Sequence, residues 1–109
     1  MLRIFIFLLL SLPVADACVS KHRTEVVAIA QKHSWDDKNN HCSVSCLLSL
    51  RCSLTEVALA GYYKELRDVL GPGSADARDL EANRIGRDQV RYKRARTDRE
   101  CLSQCDLYY

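Results

Sequence analysis

Apolar residues recur at helical spacing along most of this chain, and the strict alternation typical of strands is missing. Between residues 54 and 70, apolar side chains return every three or four positions while charged ones take the places between, which is the pattern of an amphipathic helix. The run Gly71-Pro72-Gly73 that follows indicates a helix end and a turn. We therefore predict an all-α chain. The stripe that we expect to face its core consists of Leu54, Ala58, Tyr62, Leu66 and Val69.

Helix starts are indicated where a hydroxyl side chain precedes a carboxylate by three residues, the arrangement of a capping box. Such boxes begin at Ser34, Ser53 and Thr97. Ser74 suits a fourth start, because aspartates follow it in the first turns. Together these signals predict a small bundle of four to five helices, over about residues 24–33, 36–52, 54–70, 75–92 and 100–107.

The first 17 residues have the features of a secretory signal peptide. Arg3 gives a positive start, an apolar run covers residues 4–12, and Ala15-Asp16-Ala17 offers a cleavage site of the small-x-small kind. We predict a signal peptide over residues 1–17 and a single helical domain, secreted or periplasmic, over residues 18–109. Because the apolar run is too short for a transmembrane span, we expect none. A lipoprotein anchored at Cys18 is the less favoured alternative, since it would leave an odd number of cysteines.

All 6 cysteines follow the cleavage site, so an oxidising compartment and disulfides are expected. Cys42 and Cys46 are four apart, as are Cys101 and Cys105, and this spacing puts each pair on one helix face. Two antiparallel helices can then bridge twice, as Cys42–Cys105 and Cys46–Cys101, which leaves Cys18 for Cys52. Six cysteines permit fifteen pairings, and spacing alone does not choose among them. A zinc site is disfavoured because exported thiols oxidise, and we predict no metal and no cofactor.

The positive charge of the chain is concentrated near its C-terminal part. Net charge is only +2, but seven cations lie between residues 84 and 99 against Asp88 and Asp98. Such a run can attract phosphate, acidic glycans or anionic lipid, although a solvated, charge-rich connection between helices is the more common explanation. The candidate anion-binding residues are Arg84, Arg87, Arg91, Lys93 and Arg94.

Candidate catalytic chemistry is sparse. Asp79, Asn83 and Arg87 form an i, i+4, i+8 row that could face a ligand, although a solvated helix face is the simpler interpretation. His41 and Cys42 are neighbours that point about 100° apart on a helix, so they do not form a nucleophile and its base. The histidines show no metal-binding spacing among themselves. We assign no catalytic residue.

The segment 79–87 reads Asp-x-x-Ala-Asn-x-x-Gly-Arg, and it follows an earlier Asp37-Lys38 pair and a Lys64-Glu65 pair. Residues 37–87 resemble the serum amyloid A fold family, and they also resemble small His-Cys-rich domains at the ends of rearrangement-hotspot (Rhs) type bacterial toxins. The resemblance implies an α-helical bundle, and the serum amyloid A family is associated with binding lipids and other apolar ligands and with oligomerising. The motif residues are His41, Lys64, Glu65, Asp68, Asp79, Asn83, Gly86 and Arg87.

The sequence favours a small secreted, disulfide-stabilised helical binding or interaction protein over an enzyme. Its expected partner is a protein or an anionic lipid or glycan surface, and we do not expect nucleic acid. The alternative is a secreted effector of the toxin type with a site around Asp79, Asn83 and Arg87. An inhibitor built on the two CxxxC pairs is a weaker third hypothesis, because a long stretch of chain separates them.

Overall fold

The computed structural model describes residues 17–70 and 76–109, with the backbone alone at residues 17 and 65–70. Within these residues the fold is all-α, as predicted, with five helices and no strand. The predicted signal peptide, except Ala17, and the predicted Gly71-Pro72-Gly73 turn lie outside the described residues. The helices are α1 (Ala17–His33), α2 (Asp37–Arg51), α3 (Leu54–Leu70), α4 (Ala77–Arg91) and α5 (Asp98–Asp106).

Two of the three predicted capping boxes begin helices in the structure. At α5 the Glu100 N–H donates to Thr97 Oγ1 at 3.1 Å, and the Thr97 hydroxyl donates to Glu100 Oε1 at 3.3 Å. At α3 the Glu56 N–H donates to Ser53 Oγ at 3.1 Å, but the buried Glu56 Oε2 has no hydrogen-bond partner among the described residues. This second box is therefore only half formed.

The third box, at Ser34, is wrong by two residues. The N-cap of α2 is Asp36, whose carboxylate accepts the Asn39 N–H at 2.7 Å, while Ser34 Oγ accepts the Asp36 N–H at 3.1 Å. An aspartate caps a helix as well as a serine does, so sequence preference did not separate the two. At α4 the cap is Asp76, whose carboxylate accepts the Arg78 N–H at 2.9 Å.

Helix α1 begins at Ala17 rather than at the predicted Thr24. Residues 17–23 lack a capping signal, which is why the sequence did not indicate this extension. Its Val19 is buried and continues the stripe of Val26 and Ala30 at spacings of seven and four. Burial of Val19 therefore holds these additional residues against the rest of the bundle.

Helix α2 is the centre of the bundle and contacts each of the other four helices. A helix surrounded by neighbours has no solvated face to fill with charge, and small hydroxyl side chains take those positions. The buried hydroxyls have partners: Ser43 Oγ donates to Asn39 Oδ1 at 3.2 Å, and Ser49 Oγ donates to the Ser45 carbonyl at 2.7 Å. The polar sequence of α2 is thus compatible with its burial.

Three disulfides join helices α1, α2 and α5. Cys18 pairs with Cys52, Cys42 with Cys105 and Cys46 with Cys101, and the described part of the chain contains no free cysteine. These are the pairs that antiparallel packing favoured. Cys42, Cys46, Cys101 and Cys105 are fully buried, so they also serve as core side chains.

Helix α4 lies unusually close to α2 because Gly86 faces it. A Cβ added at Gly86 would lie 2.2 Å from the Cys42 carbonyl oxygen and 3.0 Å from Ser45 Cβ. Only a glycine allows the two backbones to approach this far. Gly86 is therefore a packing residue, and it brings the polar side chains of α4 within reach of α2.

The face of α3 that turns inward differs from the predicted stripe. Val57 is 3% exposed, whereas Tyr62 is 56% exposed. Leu54 and Ala58 are half-buried, and the side chains of Leu66 and Val69 lie outside the described residues. The apolar stripe was wide enough to fit two orientations, and in the one that α3 adopts Val57 belongs to the buried core. None of the helices in the described residues is long and apolar enough to cross a bilayer.

Candidate functional site

Three residues of the predicted motif meet where α2 crosses α4. His41 lies on α2, one turn beyond Lys38, and Asp79 and Asn83 lie one turn apart on the facing side of α4. Asp79 and Asn83 are 7% and 6% exposed. The close approach at Gly86 brings these two faces into contact, and we call the resulting set of Asp37, Lys38, His41, Asp76, Asp79 and Asn83 the polar cluster.

Lys38 is the cation at the centre of the polar cluster. Its ammonium donates to Asp79 Oδ1, to Asp37 Oδ2 at 2.9 Å and to Asp76 Oδ2 at 3.0 Å. The hydrogen bonds to Asp79 and then Asp37 raise the pKa of Lys38 above its ordinary range. Lys38 therefore stays charged and links the start of α2 to the start of α4.

The pKa values of two of these carboxylates are shifted downward. The hydrogen bond from Lys38 lowers the pKa of Asp37, and the Arg78 N–H, followed by the Arg78 side chain, lowers the pKa of Asp76. Both groups are therefore charged at neutral pH. Three carboxylates face the one ammonium of Lys38, and Arg78 adds a contact with Asp76 at 3.3 Å.

His41 lies between an amide and two carboxylates. Its Nδ1 is 3.3 Å from Asn83 Oδ1, which also accepts the Ser45 hydroxyl at 3.2 Å. Its Nε2 is 3.4 Å from Asp79 Oδ2 and 3.6 Å from Asp37 Oδ1. Because Asn83 Oδ1 is an acceptor, Nδ1 carries the hydrogen in this arrangement.

A cavity of about 500 Å³ opens beside the polar cluster, between α1, α2 and α3. One end is polar and is formed by His41, Ser45 and Asn83. The exposed rings of Trp35 and Tyr63 and the side chain of Arg23 also line it. Its apolar wall consists of Val19, Val27, Val44, Leu48, Val57 and Ala60. This size and this mixed lining are typical of small-molecule sites.

The three residues of the predicted row on α4 differ in how deeply they are buried. Asp79 and Asn83 face α2 and are buried, so a solvated face is the wrong interpretation for them. Arg87 is half-buried, and desolvation lowers its pKa. Of the remaining motif residues, Lys64 lines the cavity, while the side chains of Glu65 and Asp68 lie outside the described part of α3.

The candidate anion-binding residues form two separate groups. Arg84 is exposed, and its Nη1 lies 3.1 Å from Asp88 Oδ2, one helical turn away. Arg87, three residues after Arg84, is half-buried. The others follow at the C-terminal end of α4. The guanidinium carbons of Arg91 and Arg94 lie 5.5 and 5.4 Å from the centre of the exposed Tyr92 ring. Lys93 between them is exposed and has a left-handed backbone, with φ of 59°.

From the sequence, Asp37-Lys38 was identified only as part of the family resemblance, and we missed the role of Lys38 and the spacing of Asp37 and His41. A lysine in the first turn of a helix opposes the helix dipole, and that unfavourable position was a signal that acidic partners surround it. Asp37 and His41 are four apart, so they share a face of α2. No sequence pattern indicated the cavity, because its lining comes from residues that are far apart in sequence.

No family model, curated protein or solved structure matches this chain. The resemblance to the serum amyloid A family and to the Rhs-type toxin domains therefore stays a prediction. Three disulfides indicate an oxidising compartment outside the cytosol.

Proposed function

We propose that the protein is a small secreted or periplasmic binding protein that takes an amphipathic small molecule into the cavity between α1, α2 and α3. The observation that carries this proposal is the cavity itself, with an apolar wall of six aliphatic residues and a polar end at His41, Ser45 and Asn83. Apolar lining supplies affinity, and a few fixed polar groups orient the ligand.

The lining defines the ligand class. The apolar wall suits an aliphatic or aromatic body, and the hydroxyl and amide at the polar end suit a hydrogen-bonding head. Arg23 on α1 and Lys64 on α3 add two cations to the lining against one carboxylate, Asp37, which favours a ligand with an acidic group. A molecule with an apolar body and one anionic group meets all three features.

The single tryptophan gives a direct test, because Trp35 lines the cavity and is 89% exposed. We expect 1-anilinonaphthalene-8-sulfonate, which has an apolar body and one anionic group, to bind saturably with one site. Its occupancy should shift the Trp35 emission to shorter wavelength, since the dye displaces water from the indole ring.

A pair of neighbouring substitutions makes this test specific. Ala60→Phe fills the cavity and should abolish saturable dye binding, whereas Leu59→Phe adds the same ring at a position that does not line the cavity. Equal dye binding by both variants would contradict the proposal, because the dye would then sit elsewhere.

A second binding surface is indicated by the cluster of Arg91, Tyr92, Lys93 and Arg94, which combines one aromatic ring with three cations. Two guanidinium groups flank an exposed ring there, and Tyr is enriched where an apolar surface meets water. We propose that this end of α4 attaches the protein to an anionic lipid surface. Each nearby cation contributes about 1 kcal/mol at such a surface.

Vesicle co-sedimentation tests this attachment. We expect binding to vesicles that contain phosphatidylserine, none to vesicles of phosphatidylcholine, and release at high salt because screening shortens the Debye length. Arg91→Glu should weaken binding strongly, and Arg84→Glu, which makes the same change of net charge in the other group of cations, should weaken it less. Equal loss in both variants would mean that overall charge, not this cluster, is responsible.

The effector hypothesis gains no support from the position of its residues. Asp79 is buried against α2 and bonded to Lys38, and of the three residues only Asn83 lines the cavity. A hydrolytic effector would need these groups to reach a substrate.

A further inference from the structure

We propose that Asp37, His41 and Asp79 form a binding site for a divalent transition metal ion of the zinc type. The site goes beyond the proposed ligand cavity and does not depend on it. The ligand atoms of these residues, one imidazole nitrogen and two carboxylate oxygens, all lie within 4.8 Å of one another.

The first argument is the orientation of the His41 ring. Its Nδ1 faces Asn83 Oδ1, an acceptor that already receives the Ser45 hydroxyl, so Nδ1 carries the hydrogen. In neutral imidazole the Nε2 lone pair is then free. That lone pair faces Asp79 Oδ2 and Asp37 Oδ1. Three electron-rich atoms that face one another favour a cation between them, either a proton on Nε2 or a metal ion, and the Lys38 ammonium binds the two carboxylates only through their other oxygens.

The second argument is distance. The separations of 3.4 and 3.6 Å between Nε2 and the two oxygens exceed the range of an N–H···O hydrogen bond, about 2.7–3.2 Å. They fit neighbouring ligands around zinc, because bonds of about 2.0–2.2 Å in tetrahedral arrangement place ligand atoms roughly 3.3–3.6 Å apart. The geometry therefore suits a metal ion better than a shared proton.

The third argument concerns the groups behind the ligands. Each carboxylate gives one oxygen to Lys38 and turns the other toward His41, while Asn83 holds the far nitrogen of the ring. Such outer contacts fix ligand orientation in metal sites. Lys38 is bonded to the same carboxylates, Arg78 pairs with Asp76, and Lys64 acts on Asp37, so a divalent ion has to compete with these cations.

The access to the site and the type of its donor atoms limit which ions can bind there. Asp37 and His41 line the cavity, so an ion reaches them without unfolding of the bundle. One imidazole with two carboxylates suits zinc and neighbouring first-row ions, while magnesium and calcium prefer oxygen ligands alone. The chain thus offers three protein ligands, the number usual in zinc sites that keep an open position.

Calorimetric titration of the oxidised protein with Zn²⁺ tests the proposal, with imidazole ¹⁵N spectra to identify the ligand. We expect one saturable site, with the resonance of His41 Nε2 shifted and those of His22 and His33 unchanged. His41→Gln should abolish uptake. His33→Gln is the matched control. His33 Nε2 also lies near a carboxylate, at 2.9 Å from Asp106 Oδ1, but among the described residues His33 belongs to no group of three possible metal ligands.

Two further outcomes are decisive. Lys38→Met removes the neighbouring cation and should tighten Zn²⁺ binding by about tenfold or more, which would appear also as a larger rise in Tm with Zn²⁺. If Lys38→Met binds Zn²⁺ and the native chain does not, the ammonium already takes the place of the ion and the proposal is overturned. Uptake that persists in His41→Gln would indicate an adventitious ion only and would overturn it equally.

Discussion

Two halves of this small bundle are held together by different means. Helices α1, α2 and α5 are joined covalently by three disulfides, whereas no disulfide reaches α3 or α4 in the described residues. The second half depends on close packing at Gly86 and on Lys38 at the polar cluster. The candidate sites lie at the boundary, with His41 on the cross-linked half and Asn83 on the other. One wall of each site therefore belongs to the cross-linked half, and the other is held by noncovalent contacts in the described residues.

The largest expected effect comes from removing the cross-links between α2 and α5. Alanine in place of Cys42, Cys46, Cys101 and Cys105 deletes two nested bridges that close nearly the same loop, the outer of which spans 63 residues. We expect the free energy of unfolding to fall by about 4 kcal/mol or more, because the unfolded chain regains the entropy of that loop. Urea denaturation measures the loss. A fall below about 1 kcal/mol would mean that the half without cross-links sets the stability of the whole.

A smaller effect is expected from packing in the half without cross-links. In Gly86→Ala the new methyl group meets the Cys42 carbonyl at 2.2 Å, so the helices must separate, at a cost of about 2–3 kcal/mol. Gly61→Ala is the matched control. Its methyl would lie 3.0 Å from Asn83 Nδ2, a side-chain contact that the gain of about 1 kcal/mol in helix propensity offsets. Equal destabilisation by both would contradict the special role of Gly86.

The smallest effect is the response to acid. The lowered pKa values of Asp37 and Asp76 mean that their contribution to stability is present above about pH 4 and is lost as the pH falls through the lowered values. The raised pKa of Lys38 keeps its contribution present throughout this range. We expect Tm to fall below about pH 4, and to fall less steeply in Lys38→Met. Parallel curves for the two proteins would contradict this assignment.

Much of the fold could be predicted from the sequence because its signals are local. The bounds of α3, residues 54–70, agree with the prediction, and the caps at Ser53 and Thr97 are where the hydroxyl–carboxylate spacing indicated. The two CxxxC pairs favoured the α2–α5 bridges because i, i+4 spacing defines a face. Each of these inferences needs only residues that are near one another in sequence.

The polar cluster could be predicted only in part, because it depends on contacts between distant residues. The motif pointed to His41, Asp79 and Asn83, but not to the direction in which they face. Burial of Asp79 required a cation, and nothing near it in sequence showed that Lys38, 41 residues away, supplies it. The orientation of α3, with Val57 inward in place of Tyr62, likewise depends on its neighbours.

The order of the cysteines along the chain has a consequence for biosynthesis. Synthesis proceeds from the N-terminus, so Cys42 and Cys46 are made while their partners, Cys101 and Cys105, are still untranslated. Until then, Cys18–Cys52 is the only native bridge that the first four cysteines can form. Cys42 and Cys46, one turn apart on α2, must stay reduced, bond to each other or bond wrongly until α5 appears. The two bridges between α2 and α5 therefore form last, and any bond that Cys42 or Cys46 makes before then has to be undone by thiol–disulfide exchange.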